Sequence, residues 1–461
     1  MRNDQIQLEE AFRRIAHTSP KKILFACVPA DGHFSPLTGL AKQLQASGYD
    51  VRWYASAAYA TKLEKLEVHH YPFKKALEVT GENVDEVFPG RAAIKNPVKK
   101  LNFDIVNFFI QRGPEFYADI CEIYKSFRFD LVVADCAFTG IPFITDKMNI
   151  PVLSIGVFPL VESSKNLAPN GLAITPSYTF IGRRRQAIQR FIANKILFRV
   201  SNKYMKKVMD EYGIPVGNIN LFDLLVRKST LLLQSGTPGF EYKRSDLGKN
   251  IRFIGPLLPW SSKGKIPSWF DGRLSAYKKV ILVTQGTVEK DVEKLLVPTL
   301  EAFRNTDTLV IATTGGSQTS ALKKRFPERN FIIEDFIPFA DVMPYANAYI
   351  TNGGYGGVML GIEYQLPLVV AGVHEGKNEI NARVGYFNLG INLKTERPSV
   401  LQVRNAVQEV LSNDVYKTNV IKLGKEFNSY DPNKLCVSYV KEILSRPKQK
   451  IASGEIEINC N

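Results

Sequence analysis

The chain has 461 residues, 45% of them hydrophobic and 23% charged, values of an ordinary globular protein and far from those of disordered, collagenous or membrane chains. At about 150 residues per domain this length predicts two or three domains with sizeable cores, which excludes a small disulfide-stapled or metal-folded module. Sixty basic against 45 acidic side chains leave a net charge of +15, a bias toward anionic partners that does not by itself choose among nucleotide phosphates, acidic lipid headgroups and nucleic acid.

The leader, 1–21, carries Asp4, Glu9 and Glu10 among its apolar residues and lacks the uninterrupted apolar core of a secretory signal. No stretch reaches the roughly 18 apolar residues of a membrane span. Cys27, Cys121, Cys136, Cys436 and Cys460 form no Cys-x-x-Cys pair and have no histidine at zinc spacing, so reduced thiols and a cytoplasmic location are expected.

Ile23-Leu-Phe-Ala-Cys-Val28 is a continuous apolar run that reads as a buried parallel strand, followed by a turn and a helical pattern over 37–47 that Gly48 ends. A second strand begins at Tyr49. Leu131-Val-Val-Ala134 and Pro151-Val-Leu-Ser-Ile155 are later strands, with a helix through 141–148 between them. The pattern restarts at Lys279–Thr284 and continues through strands at 308–312, 331–333, 348–351 and 368–371. This is the grammar of two open α/β sheets in succession, two Rossmann-like halves with ligands in the cleft between them. The expected division is a first domain over 22–240, a linker rich in Gly, Pro and Ser over 241–275, a second domain over 276–430, a C-terminal helix over 431–446 and a disordered tail over 447–461.

Gly182 to Met209 holds nine Lys or Arg residues and no acid, with Ile188, Phe191, Ile192, Ile196 and Val200 at helical spacing. It reads as a basic amphipathic helix. It either packs on the domain or lines an acceptor pocket with a solvated cationic face, or docks reversibly on an anionic membrane.

Chemistry concentrates at strand ends. Pro29-Ala-Asp-Gly-His33-Phe-Ser-Pro36 places a histidine at the carboxyl end of the first strand, where open α/β sheets gather ligands. A lone histidine is structural more often than catalytic, but Asp135 ends a later strand of the same sheet, and the pair suits removal of a proton from a hydroxyl. Asp31 is read as a turn residue. In the second half, Thr284-Gln-Gly286-Thr287 and Thr351-Asn-Gly-Gly-Tyr-Gly-Gly357 resemble phosphate turns, in which glycines admit a diphosphate and helix N-terminal amides bind it. Such turns also occur for packing alone. The spacing is not Gly-x-Gly-x-x-Gly, no Gly-x-x-x-x-Gly-Lys-Ser/Thr loop is present, and no Asp-x-Asp pair offers to hold a metal on a diphosphate. Neither a metal nor a cofactor is therefore expected.

These residues resemble a family 1 glycosyltransferase of the GT-B fold, of bacterial type, from Lys22 to about Ile443. Gly32-His33-x-x-Pro36 is similar to the family's Gly-His-x-x-Pro, whose histidine is the catalytic base, and Asp135 matches its partner aspartate. Thr284-Gln-Gly286-Thr287 resembles the donor-side turn, and Phe336-Ile337-Pro-Phe339 the Trp-x-Pro-Gln that lays an aromatic ring on the nucleobase. The chain departs at Asn352, where the family usually has histidine, at Gly357, usually serine or threonine, and at Phe339. The Asp-Gln near the sugar corresponds either to Glu375-Gly376-Lys377 or to Lys377-Asn378.

The resemblance implies an inverting transferase that moves a sugar, glucose being expected, from UDP to a hydroxyl of a lipophilic small molecule. His33 and Asp135 are then catalytic. Gly286, Thr287, Phe336, Ile337, Asn352, Gly353, Gly354, Gly356, Gly357, Glu375 and Lys377 bind the donor, and Phe34, Phe108, Phe109 and Phe158 contact the acceptor. Rival readings are a TDP-deoxysugar transferase, a nucleotide-sugar epimerase and a non-catalytic two-lobed sugar- or nucleotide-binding protein. Nucleic acid is not an expected partner, since no recognised module or aromatic-basic platform is present.

Overall fold

A computed structural model describes residues 20–80, 83–260, 269–286 and 288–446. The leader up to residue 19, Thr287 and the tail 447–461 lie outside the described residues. Among the described residues thirteen strands form two all-parallel sheets.

The first sheet contains β1 (Lys22–Ala26), β2 (Asp50–Ala55), β3 (His69–Pro72), β4 (Leu131–Asp135), β5 (Val152–Gly156), β6 (Leu231–Ser235) and β7 (Ile251–Gly255), in the order β3-β2-β1-β4-β5-β6-β7. The second contains β8 (Lys279–Thr284), β9 (Thr308–Thr313), β10 (Phe331–Glu334), β11 (Ala348–Thr351), β12 (Leu368–Val370) and β13 (Gly390–Asn392), in the order β10-β9-β8-β11-β12-β13. Both orders reverse direction once, between β1 and β4 and between β8 and β11. At such a switch point the flanking loops leave in opposite directions and open a crevice at the strands' carboxyl ends.

The apolar runs follow from burial on both faces. Along β1, Ile23 and Phe25 enter one core with Trp53, while Leu24 and Ala26 enter the other with Tyr54 and Phe138. Along β8, Val280 and Leu282 face one core and Ile281 and Val283 the opposite one. The helix Thr38–Ala46 covers the first sheet and ends ahead of Gly48, whose φ of 88° is open to glycine at little cost.

The chain does not divide where composition places a linker. Ile251, Ile254 and Leu257 belong to the first core, so the stretch 241–275 contains that sheet's edge strand. Phe240, at the end of the expected first domain, is inserted in the second core beside Tyr355 and Phe387. The crossing falls between Trp260, whose amide donates to Thr38 Oγ1 at 2.8 Å, and Trp269, whose amide donates to Asp341 Oδ2 at 2.8 Å. The C-terminal helix, Pro432–Ser445, returns to the first unit, where Cys436, Val440 and Ile443 complete its core.

Candidate active site

The first switch point brings His33 and Asp135 together. The loop leaving β1 turns into a single helical turn, Asp31–Phe34, closed by amide bonds from His33 and Phe34 to the Ala30 carbonyl. His33 Nδ1 lies 2.8 Å from Oδ1 of Asp135, the last residue of β4. Asp135 is fully buried and accepts two further hydrogen bonds, from the Val28 amide to Oδ2 and from the Ala137 amide to Oδ1, each at 2.8 Å. Both carboxylate oxygens thus accept backbone amides, an arrangement suited to a carboxylate that also accepts the His33 Nδ1 proton. Nδ1 then carries the ring proton, and Nε2 of the partly exposed imidazole keeps its lone pair.

Phe158, just beyond β5, meets the His33 ring edge-on at a centroid distance of 5.7 Å. The neighbouring thiols do not compete as nucleophiles. Burial, with the Asp135 charge second, raises both Cys27 and Cys136 above the ordinary thiol range, so both stay protonated.

The other expected acceptor contacts divide. Phe34 follows His33 by one residue but turns into the core, fully buried, with its ring 4.2 Å from that of Tyr59 and 4.7 Å from that of Trp53. It is a core residue and cannot touch an acceptor. Phe108 and Phe109 lie half-buried on a π-helical turn, Ile105–Ile110. Phe108 packs on Phe88 and Arg91, and Phe109 on Phe222. The Phe109 carbonyl accepts from Thr139 Oγ1 at 2.8 Å, which ties this turn to the loop after β4.

At the second switch point, Gly286 and the 352–354 turn face each other across β8 and β11. Gly286 has φ 76° and Gly353 φ 85°, and a Cβ on Gly353 would fall 1.9 Å from Asn381 Oδ1. Both positions therefore require glycine. Gly354 opens the helix Tyr355–Glu363 with no side-chain cap, so first-turn amides over Tyr355, Gly356 and Gly357 have no intrahelical acceptor and the helix dipole is unopposed there. Beyond Gly356 there is open space, and Gly357 leaves room against Thr351 and Tyr349. Asn352 departs from its expected use. Its Nδ2 donates to the Gln285 carbonyl, bracing the two turns against each other.

Phe336, in the loop after β10, is 67% exposed and borders Gly316 of the loop after β9. From β11 to β10 the sheet spans three strand spacings, about 14 Å, the reach of an extended nucleoside diphosphate. Ile337 is a correction: its side chain is buried in the second core, leaving only its main chain for a ligand. Glu375 and Lys377 pair with each other at 2.6 Å, and the Lys377 stem passes the space above Gly372, which abuts the Asn352 carbonyl.

Several residues to which the sequence assigned no such role bind the two units together. The phenol of Tyr355, kept protonated by burial, donates to the Ser235 carbonyl at the end of β6 at 2.8 Å. Glu379 Oε1 accepts the amides of Gly171 and Ala173, both at 2.8 Å, and Asn378 Nδ2 donates to the Gly171 carbonyl at 2.9 Å. Buried Arg383 pairs with Glu241 at 2.7 Å and with Glu379 at 3.2 Å, its guanidinium 4.2 Å from the Tyr242 ring centre. Glu241 in turn accepts the Leu160 amide at 3.1 Å, two residues from Phe158. The only local signal was the Glu379–Arg383 spacing of four along one helix.

A cavity of about 630 Å³ opens beside this junction, lined by Ala173, Thr175, Gly372, Asn378 and Lys394 among others. It adjoins the 352–354 turn through Gly372 but holds neither His33 nor Asp135. Among the described residues no three His, Cys, Asp or Glu side chains gather as a metal ion would need, and no helix is long and apolar enough to cross a membrane.

A family model described as UDP-glucoronosyl and UDP-glucosyl transferase matches residues 120–440. The chain is 32% identical to the 4'-demethylrebeccamycin synthase of Lentzea aerocolonigenes, over 89% of its own length and 96% of that protein's. It is 28% identical to UDP-glucosyltransferase 1 of Beauveria bassiana, over 95% and 97% of the two chains. The solved glycotransferase of kitacinnamycin superposes with a TM-score of 0.71 at 17% identity, covering 92% of this chain and all of that one.

Proposed function

The chain belongs to the UDP-glucoronosyl and UDP-glucosyl transferase family and has the GT-B fold; from that premise we propose that it glucosylates a hydroxyl of a lipophilic small molecule by one in-line displacement, with His33 as base. It is a glycosyltransferase that takes its sugar from a nucleotide carrier. The observation that carries the mechanism is the 2.8 Å contact between His33 Nδ1 and buried Asp135, which leaves Nε2 as the atom free to take a proton.

In this scheme Nε2 removes the acceptor's hydroxyl proton as the oxygen attacks the anomeric carbon. The bond from that carbon to the β-phosphate oxygen breaks, and its electron pair leaves with UDP. Asp135 stabilises the imidazolium that forms. The leaving diphosphate meets the Gly286 turn, Thr287 and the amides over Gly353, Gly354, Gly356 and Gly357, where the dipole of a nine-residue helix favours negative charge. Phe336 stacks on the base, while Glu375 and Lys377 stand on the sugar side. Backbone amides in this role make a divalent metal unnecessary. The acceptor rests against Phe158 and the turn bearing Phe108 and Phe109.

Glucose is supported by the name of the Beauveria relative, and the apolar acceptor by the Phe158 ring against His33. A cytoplasmic reaction is the reading supported by the buried free thiols Cys27, Cys121, Cys136 and Cys436.

The test is a donor screen of the purified protein with UDP- and TDP-sugars against mixed phenols and lipid alcohols. Mass spectrometry reads the sugar and proton NMR the anomeric coupling. The expected product from α-linked UDP-glucose is a β-glucoside. An α-linked product would overturn the single displacement, and turnover with TDP-deoxysugars alone would overturn the donor.

A further inference from the structure

We infer that the face built from residues 180–211 docks on an anionic lipid bilayer. This face is a rod of two helices, Phe180–Ile192 and Arg199–Glu211, joined through the π-helical stretch Ala193–Leu197. It is fixed to the first unit. Gln186 Nε2 donates to the Asn166 and Ser177 carbonyls, the Ser201 amide donates to Asn102 Oδ1, and Gln111 donates to the Tyr204 hydroxyl.

From Phe180 to Val200 the rod's outward side is apolar, where a surface helix ordinarily turns that stripe inward, as the remainder of the second helix does with Met205, Val208 and Met209. Gln186 is buried on the first helix, while Ile181, Ile188, Ile196 and Val200 are 61–79% exposed, with Ile192 at 41%. Their spacings of seven, four, four and four residues keep them on one stripe along the axis. Phe180 and Phe191, also largely exposed, widen it. Scattered single apolar residues on a surface need no explanation, but a contiguous stripe marks an interaction site.

Charge selects the occupant. The nine cations, Arg183, Arg184, Arg185, Arg190, Lys195, Arg199, Lys203, Lys206 and Lys207, are accompanied by no acid between 182 and 209. Among the described residues only Lys207 has a carboxylate within ion-pair distance, Glu211 at 3.8 Å. A second copy meeting this face with its own would set these like charges against each other, since a two-fold contact repeats the same patch on both sides. Nucleic acid would match the cations and leave the apolar stripe in water. A bilayer containing acidic lipid satisfies both at once, the stripe entering the acyl boundary and the outward cations meeting headgroups, with Arg190 alone turned in onto the Leu167 carbonyl.

The same rod packs on the Ile105–Ile110 turn, and the Phe109 carbonyl ties that turn to Thr139 in the loop after Asp135, on the proposed acceptor side of His33. Docking here brings that side to the lipid interface, where a membrane-dissolved acceptor resides. This consequence rests on the reading of a lipophilic acceptor; the docking does not.

The experiment is flotation of the full chain with vesicles of phosphatidylcholine alone and of phosphatidylcholine containing roughly 30% phosphatidylglycerol. The expected result is binding to the acidic vesicles only. It should fall at least about tenfold in the variant I188S/F191S/I196S and, separately, in R184Q/R185Q, with transfer to a water-soluble acceptor unchanged. Single F191S serves if the triple variant misfolds by circular dichroism. Equal binding to neutral vesicles, or binding indifferent to the apolar substitutions, overturns the proposal, the latter showing only adsorption of a basic protein. A dimer in sedimentation that the triple variant dissociates overturns it in favour of self-association.

Discussion

Asp135→Asn separates the charge of the carboxylate from its shape. The carboxylate receives three donors, from His33, Val28 and Ala137, and a carboxamide cannot accept all three. With its oxygen toward His33 and Ala137, its nitrogen opposes the Val28 amide. Turned round, the nitrogen opposes Ala137 and donates to His33 Nδ1, which moves the ring proton to Nε2 and removes the base. Either way one buried amide is unpaired, costing about 1–3 kcal/mol of stability, and the charge that steadies the imidazolium is gone. Unit charges about 4 Å apart attract by about 4 kcal/mol at an effective dielectric constant of about 20, so kcat should fall by up to about a thousandfold. Initial rates of UDP release at saturating donor and acceptor measure this, with calorimetry for nucleotide binding and thermal melts for stability. His33→Ala should lose at least about a hundredfold, and the double variant should be little worse than the worse single one. A kcat for Asp135→Asn within about tenfold of wild type, with His33→Ala inactive, would refute an electrostatic role and leave Asp135 bracing the turn.

Phe336→Ala should weaken UDP-sugar binding by about 5- to 150-fold, the worth of one base–aromatic stack, with kcat nearly unchanged; an unaltered KM for the donor removes Phe336 from the base site. Burial raises the Glu363 carboxyl above its ordinary value, so the folded state favours the protonated form. That favour is fully present below the ordinary glutamate pKa of about 4.3 and is lost as pH rises through the folded value. Glu363→Gln should therefore raise Tm at about pH 7 relative to wild type and bring little gain near pH 3, and equal shifts at both would count against a desolvated carboxylate. Finally, a chelator should leave turnover intact; inactivation reversed by magnesium or manganese would contradict diphosphate binding by amides alone.

The legible part of this chain lies at the ends of its apolar runs. Strands buried on both faces announce themselves by composition, and His33, Asp135, Gly286 and the 352–357 turn each lie at or just past the carboxyl end of such a strand, so they were legible as a group facing two switch points. Their spacing along the chain sets their place in the sheet once the strand order is known. Tertiary structure decided what each neighbour touches. Phe34 adjoins His33 in sequence yet enters the core, because consecutive residues of a helical turn point about 100° apart. The edge strand Ile251–Gly255 was hidden in a stretch rich in glycine and proline, being short and partly exposed, and edge strands carry the weakest apolar signal. Asn352 turned to brace Gln285, and Glu241 found Arg383 across 142 residues. A buried charge must be paired, but its own sequence does not name its partner, since that is chosen by whichever opposite charge the packed units bring within reach.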